Sequence, residues 1–174
     1  NDALIMPCRT GYTSNAPAGT VTAFWRGRVL VAVENVLYAS RTNGWEVFDF
    51  RRDFKQFSSP ITLIQPVDSG LFVGTESELA FLAGTEFDKL SYKRVAGPTV
   101  LGSGVAVRGE LIRQGEGAGL GSAMICIADG VLLAGFSDGQ VNRLSEGVYR
   151  TDVLEVAATF RTVNGIPQYI AVPQ

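Results

Sequence analysis

Apolar and polar residues alternate in short blocks along this chain. Three stretches share one order: a glycine, an apolar run of four or five residues, a short polar break and a second run. These stretches begin at Gly27, Gly70 and Gly130. The second run starts nine positions after the glycine in the first two stretches and eleven positions after it in the third. Apolar runs this short, rich in β-branched residues, predict strands rather than helices, so each stretch is predicted to be a β-hairpin.

Further apolar runs flank each hairpin and raise the predicted number of strands to four per unit. The runs before the hairpins are 20–25, 61–67 and 123–128, and those after them are 45–50, 90–95 and 153–162. Four antiparallel strands repeated every ~40 to 45 residues are typical of a β-propeller blade. We assign the longer interval before Gly130 to an additional strand at 105–112 and a glycine-rich loop at 113–121.

No segment shows the 3.6-residue period of an amphipathic helix, so the fold class is predicted to be all-β, a β-propeller or part of one. We expect one domain over residues 1–174, with blades at about 20–50, 61–95 and 122–162. Additional terminal strands are predicted at 3–8 and 166–172.

Three blades are too few for a ring, because propellers have about four to eight blades. Terminal blades without neighbours would expose apolar faces. We therefore expect the missing blades to come from the rest of a longer precursor or from another subunit; the alternative is a compact four-bladed ring closed by the extra strands. Since the chain begins with Asn1, we expect a processed or partial fragment.

The composition narrows the possible functions. Hydrophobic residues make up 46% and charged residues 18% of the chain, which is typical of a folded core. The net charge of −2 offers no basic excess for nucleic acid. No apolar run approaches the ~20 residues of a membrane span, and no signal-peptide pattern is expected. Cys8 and Cys126 are predicted to be free, buried thiols.

Catalytic signatures are missing from the sequence. The chain has no histidine, which excludes a Ser-His-Asp or Cys-His arrangement within it. It has no phosphate-binding loop, dinucleotide glycine motif or zinc-type cysteine spacing. We therefore predict no catalytic, cofactor-binding or metal-binding residue, no cofactor and no enzymatic activity.

Paired carboxylates leave one enzymatic alternative open, a glycosidase-like propeller acting on host surface glycan. The candidate acids are Glu76, Glu78, Asp129 and Asp138. Their positions in polar breaks are explained more simply by turn chemistry.

The segment 48–57 combines aromatic and charged residues. The candidate partner-contacting residues in it are Phe48, Phe50, Arg51, Arg52, Phe54, Lys55 and Phe57. Arginine beside aromatic residues is typical of protein interfaces and, less often, of single-stranded nucleic acid. Asp49 and Asp53 would repel phosphate, which argues against nucleic acid. The simplest interpretation is a crossover between the first two blades, with phenylalanines packed inward and charges solvated.

Several stretches, taken as a set, resemble a known family. The first three are Phe24-Trp25-Arg26-Gly27-Arg28-Val29-Leu30-Val31-Ala32, Val36-Leu37-Tyr38-Ala39-Ser40 and Val47-Phe48-Asp49-Phe50-Arg51. They continue with Pro60-Ile61-Thr62-Leu63, Leu71-Phe72-Val73-Gly74-Thr75-Glu76 and Phe81-Leu82-Ala83-Gly84. Over residues 19–172 the chain is similar to the C-terminal half of tailed-bacteriophage and prophage structural proteins, namely propeller-bearing tail-hub, nozzle or packaged-DNA-stabilising proteins of short-tailed phages.

This resemblance implies a non-catalytic virion component, made in the bacterial cytoplasm and present in several copies around the tail axis. Joining head to tail or gating DNA exit are the roles it implies. The expected partners are other virion proteins, the missing N-terminal half or further copies of the chain. A cellular interaction module of the WD type ranks behind both hypotheses, because its Gly-His and Trp-Asp signatures are missing.

Overall fold

The computed structural model describes residues 12–112 and 121–174. These residues form antiparallel strands, turns and two short 3₁₀ segments, and contain no α-helix. The prediction of an all-β chain with four-stranded antiparallel sheets is confirmed. The strand predicted at 3–8 lies outside the described residues. Nothing in the described ranges is a helix with the length and apolarity that a bilayer crossing requires.

Sheet 1 contains five strands. They are β1 (Val21–Trp25), β2 (Arg28–Val33), β3 (Val36–Arg41), β4 (Gly44–Phe48) and β5 (Phe54–Gln56). The first four follow one another in the sheet, while β5 also pairs with β3. β4 pairs with the end of β3 at Ser40 and Arg41, and β5 pairs with its beginning, from Val36 to Tyr38. The two short strands therefore share the fourth position of this sheet.

Sheets 2 and 3 have four strands each, and a terminal hairpin follows them. Sheet 2 contains β6 (Ile61–Val67), β7 (Gly70–Thr75), β8 (Leu79–Ala83) and β9 (Ser91–Ala96). Sheet 3 contains β10 (Val105–Arg108), β11 (Ser122–Ala128), β12 (Val131–Phe136) and β13 (Val141–Arg143). The terminal hairpin contains β14 (Val156–Val163) and β15 (Ile166–Pro173), so a strand is present where 166–172 was predicted.

The third sheet differs from the sequence prediction by one strand. The additional strand predicted at 105–112 is its first strand, β10, and the run at 153–162 does not belong to it. In sheets 1 and 2 a two-residue turn links the first and second strands, whereas in sheet 3 the connection 109–121 takes that place. The turn at Gly130 therefore joins the second and third strands, unlike those at Gly27 and Gly70.

The sheets stack face to face in chain order, with apolar side chains between them. One layer joins sheet 1 to sheet 2 and includes Leu30 and Leu71. A second layer joins sheet 2 to sheet 3 and includes Phe72 and Met124. Two smaller clusters join sheet 3 to the terminal hairpin, for example through Phe136 and Tyr169. The arrangement is neither one continuous sheet nor a two-layer sandwich.

The first strands of successive units lie side by side: β1 beside β6, β6 beside β10, and β10 beside β14. Backbone hydrogen bonds at the ends of the linkers repeat as well. The carbonyl of Pro60 accepts from Glu76 N at 3.0 Å, and that of Pro98 accepts from Asp129 N at 2.9 Å. Each linker is therefore fixed to the turn between the second and third strands of the sheet that follows it.

Candidate protein-interaction surface

Sheet 1 has a second face that points away from sheet 2. Residues paired directly across antiparallel strands share a face, and Phe24 pairs with Val29, while Tyr38 pairs with both Val31 and Phe54. None of these five residues belongs to the layer against sheet 2. They therefore lie on the outer face of sheet 1.

Five aromatic side chains make this face a candidate for protein contact. We call Phe24, Tyr38, Trp45, Phe50 and Phe54 the aromatic face. The rings of Phe24 and Trp45 meet edge to face at 5.8 Å, and those of Tyr38 and Phe50 at 5.0 Å. Phe24 is 58% and Trp45 55% exposed, although aromatic side chains of this size usually lose most of their surface on folding. Exposed, mutually ordered aromatic rings are typical of interface hot spots.

The loop between β4 and β5 is organised around Asp49, whose carboxylate is buried. Its Oδ1 accepts hydrogen bonds from Arg51 N at 3.2 Å and Arg51 Nε at 3.4 Å, and Oδ2 lies 3.7 Å from Arg41 Nη2. Burial by itself raises the pKa of Asp49. The hydrogen bonds from Arg51 and the charges of Arg51 and Arg41 lower it by more, so the pKa lies below its ordinary value. The ionised carboxylate therefore holds the loop in place beside the aromatic face.

The seven candidate residues in segment 48–57 fall into two groups. Phe50, Arg51, Arg52 and Phe54 are exposed, and a partner has access to them. The other three are not free for contact: Phe48 and Phe57 are buried, and Lys55 is half-buried, with Nζ 5.5 Å from the ring centre of Phe87.

The crossover interpretation of the segment describes only part of this arrangement. Phe57 does pack into the layer between sheets 1 and 2, whereas Phe48 is buried outside that layer, with its ring 6.3 Å from that of Phe50. Phe50 and Phe54 are exposed, and Asp49 is buried rather than solvated. The segment also returns to sheet 1 as β5 before the chain enters sheet 2.

Residues 12–20 cover one side of the same face. Ser14 and Phe48 exchange two backbone hydrogen bonds of 2.8 and 2.9 Å. The guanidinium carbon of Arg51 lies 3.8 Å from the ring centre of Tyr12, a cation–π contact at the surface. The exposed side chains of Tyr12 and Arg51 therefore lie in contact beside Phe50.

Phe24, Tyr38 and Trp45 were not singled out by the sequence. Alternation of side chains along a strand does indicate the face on which Phe24 and Tyr38 lie. Phe24 is two positions after Thr22, which is exposed, and Tyr38 lies between Leu37 and Ala39, which are buried. Trp45 lies where the pairing of β3 with β4 shifts register. Strict alternation therefore does not predict on which face of the sheet its side chain lies.

The four candidate carboxylates do not all lie at one site. Glu76 and Asp129 line one cavity of about 890 Å³, together with Glu34, Asp152 and Glu155. Glu78 instead lies 3.6 Å from Arg94, and Asp138 accepts a hydrogen bond from Gln140 N within its turn. In the part of the chain that the structure describes, no group of three or more acidic or cysteine side chains has metal-binding geometry.

Cys126 lies in the layer between sheets 2 and 3, as a buried free thiol. Burial raises the pKa of this thiol to about 12. Cys8 lies outside the described residues.

No protein-family model matches the chain, and no curated protein sequence is significantly similar to it. The fold and the aromatic face therefore carry the functional argument.

Proposed function

We propose that the chain is part of a β-propeller that serves as a rigid protein-interaction ring in a tailed-bacteriophage particle, at the tail or the head–tail connection, without catalytic activity. The observation that carries the proposal is the stack of one five-stranded sheet, two four-stranded sheets and a hairpin, with their first strands side by side. Blades of a propeller repeat in this way around a central channel.

The end faces of the stack support a role in assembly. Sheet 2 is covered on both faces, whereas sheet 1 presents the aromatic face and the terminal hairpin presents Val163, Ile166 and Val172. Exposed apolar surface of this kind marks protein contacts. The assignment to a phage particle is supported by the sequence resemblance over residues 19–172.

The test is the protein content of purified particles. We expect the chain, or the longer protein that contains it, at fixed stoichiometry in particles of the phage that encodes it. Its presence only as free protein in the host cytosol would contradict the proposal.

Variants of the aromatic face provide a second test of the proposal. A particle assembled with Phe50→Ala and Phe54→Ala together is expected to contain much less of the protein. Tyr149→Ala is the control, because Tyr149 is also an exposed aromatic residue but lies outside the aromatic face. Equal incorporation of both variants would exclude this face as the contact.

A glycosidase-like propeller remains the second candidate, because Glu76 and Asp129 share a cavity. It requires two carboxyl groups about 5 to 10 Å apart acting on a glycan. Cleavage of host glycan that is abolished by Glu76→Gln and by Asp129→Asn would favour this candidate over the structural role.

A further inference from the structure

One edge of β15 has no neighbouring strand among the described residues, because β15 pairs only with β14. Directly after β15, Gln174 N donates to the carbonyl of Glu155 at 3.2 Å. Backbone groups alternate in direction along a strand, so the even-numbered residues of β15 bond to β14 and the odd-numbered ones face the other way. The backbone N–H groups of Tyr169 and Ala171 therefore lie on the open edge.

Two prolines mark the limits of this open edge. Proline has no N–H group and is tolerated in a strand where the ladder needs none. Pro167 and Pro173 are both odd-numbered, so each lies on the open edge and costs the hairpin no hydrogen bond. The five residues between them match the third strands of sheets 1–3, which have five or six residues.

Sheet 2 shows what lies beside the second strand in a four-stranded unit. Val73 of its second strand pairs with Ala80 of its third strand, β8, and both side chains pack on sheet 1. Leu71 and Leu82 form the next such pair along the same two strands. The third strand thus contributes every second side chain to the layer against the preceding sheet.

The hairpin repeats the first two strands of this arrangement. Tyr169 and Ala171 lie on its second strand and pack on the preceding sheet, as Leu71 and Val73 do in sheet 2. Tyr169 Oη also donates to the carbonyl of Ser103 at 2.7 Å, which fixes β15 on sheet 3. The place of a third strand beside β15 is not filled by any strand that the structure describes.

Two cavities lie along the inner side of the open edge, between β15 and sheet 3. One of about 290 Å³ is lined by Tyr169, Ala171 and Pro173, with Leu132 on the side of sheet 3. The other, of about 450 Å³, is lined by Pro167 and Tyr169, again with Leu132. None of the described residues that line them is charged. The space therefore suits apolar side chains at alternate positions of an added strand.

We propose that an extended strand of a partner polypeptide pairs with the open edge of β15 and places apolar side chains, at every second position, in the two cavities. The edge fits an extended backbone, because its donors and acceptors repeat along the strand. All fifteen described strands are already paired in their own sheets, so none of them is available. In strand addition of this kind, main-chain hydrogen bonds supply affinity and side-chain pockets supply specificity.

The probe for the experiment is a synthetic peptide with the sequence of residues 78–84, which contains β8, the third strand of sheet 2. In sheet 2, Thr75 N donates to the carbonyl of Glu78 at 2.7 Å. By alternation, Ala80 and Leu82 direct their N–H groups to the second strand as well. We expect this peptide to bind the full chain saturably, measured by NMR titration. No binding would overturn the inference.

Hydrogen exchange tests the open edge directly. In the chain alone, the N–H groups of Tyr169 and Ala171 are expected to exchange quickly, whereas those of Gln168 and Ile170 are expected to exchange slowly, because they bond to β14. The peptide is expected to slow exchange at Tyr169 and Ala171 by about tenfold or more. Slow exchange at both residues without peptide would show that the edge is already covered and would exclude a partner strand there.

Methylated peptides separate strand pairing from apolar contact. N-methylation at Ala80 and Leu82 removes the donors that face β15 and is expected to weaken binding by about tenfold or more. N-methylation at Leu79 and Phe81 is the matched control, because it adds the same methyl groups to nitrogens that face away from β15. The control peptide is expected to bind like the unmodified one. Equal binding of the two methylated peptides would contradict strand addition.

A variant of the chain tests the same edge. Ala171→Pro removes a donor that β14 does not use and is expected to weaken peptide binding by about tenfold or more. Ala158→Pro is the matched control, because Ala158 is an even-numbered residue of β14 and its N–H points away from β15. Equal loss of binding in both variants would overturn the inference.

Circular dichroism checks that both variants are folded. The methylated peptides use the unaltered chain, so they decide the outcome even if a variant does not fold. The inference goes beyond the proposed function and does not rest on the phage assignment. A peptide that fails to bind would leave that assignment standing, because the protein content of purified particles tests it separately.

Discussion

Sheet 2 and the terminal hairpin are both built from antiparallel strands with apolar runs, yet they differ in burial. All six residues of β7 are buried, whereas no residue of β15 is. Among the described residues, sheet 2 has a neighbour on each face, while the hairpin has one only on its inner face. The difference teaches that stability in this fold comes from stacking between sheets, so central layers are expected to be more stable than the ends.

The largest expected effect is at the centre of the stack. Phe72 is fully buried in the layer between sheets 2 and 3, with its ring 4.9 Å from that of Phe81. Phe72→Ala is expected to lower the free energy of unfolding by about 3–5 kcal/mol, because it removes buried contacts and leaves a cavity. Ile166→Ala in the hairpin should change it by less than about 0.5 kcal/mol. Urea denaturation measures the free energy of unfolding of both variants. Similar losses in the two would contradict the claim that the central layers are more stable than the ends.

A second variant separates the hairpin from the stack. Gly102 has a φ of +74°, and a Cβ there would overlap the backbone carbonyl of Val156. Gly102→Ala is expected to cost about 2–4 kcal/mol, combining the left-handed conformation with the clash. Hydrogen exchange should show lost protection in β14 and β15 before β7. Unchanged hydrogen exchange in β14 and β15 would mean that the contact between Gly102 and Val156 does not stabilise the hairpin.

A smaller effect is expected at one rim, where Asp68 links sheets 2 and 3. Its Oδ2 accepts from Ser122 N at 2.8 Å and from Ser137 Oγ at 3.2 Å. Because these bonds are exposed, Asp68→Ala is expected to cost only about 1 kcal/mol.

The same carboxylate makes a pH prediction. Hydrogen bonds from Ser122, then that from Ser137 and the charge of Arg26, lower the pKa of Asp68 below 3.8, against an opposing contribution from burial. A lowered folded-state pKa means that the unfolded chain takes up the proton first. The stabilisation is therefore complete above about pH 5 and is lost as the pH drops through the ordinary value and then the folded pKa. Asp68→Ala should flatten this part of the stability–pH curve, and an unchanged curve would contradict the assignment.

The smallest effect concerns reactivity rather than stability. With a pKa of about 12, the Cys126 thiol is almost entirely protonated at pH 8 and is shielded between sheets 2 and 3. Alkylation in a Cys8→Ser background is expected to be very slow in the folded protein and complete in denaturant. Fast alkylation of the folded chain would show that this layer opens readily.

The sequence predicted much of the fold because strand signals here are local. Short β-branched runs between glycine-containing turns located the strands of sheets 1 and 2 within a few residues, except β5, which was interpreted as part of a crossover. The third sheet was assigned wrongly by one strand, because Gly130 resembles Gly27 and Gly70 but follows the second strand instead of the first. The connection 109–121 is long, and local pattern does not reveal that the strand before it, β10, pairs with β11.

The candidate surface was predicted less completely, because it depends on contacts between distant residues. The charge and aromatic pattern identified Phe50, Arg51, Arg52 and Phe54. The position of Trp45 depends on a register shift in sheet 1, and the burial of Phe48 depends on pairing with Ser14. Neither follows from spacing along the chain.

The central claim is that sheet 2 lies between sheets 1 and 3, and side-chain NOEs test it most directly. Leu71 and Phe72 are adjacent in β7 and point into different layers. The account predicts NOEs from the Leu71 methyls to Leu30 or Leu37 and from the Phe72 ring to Met124 or Leu133. If either residue gave only NOEs within sheet 2 and exchanged readily with solvent probes, that face would be bare and the stacked architecture would be contradicted.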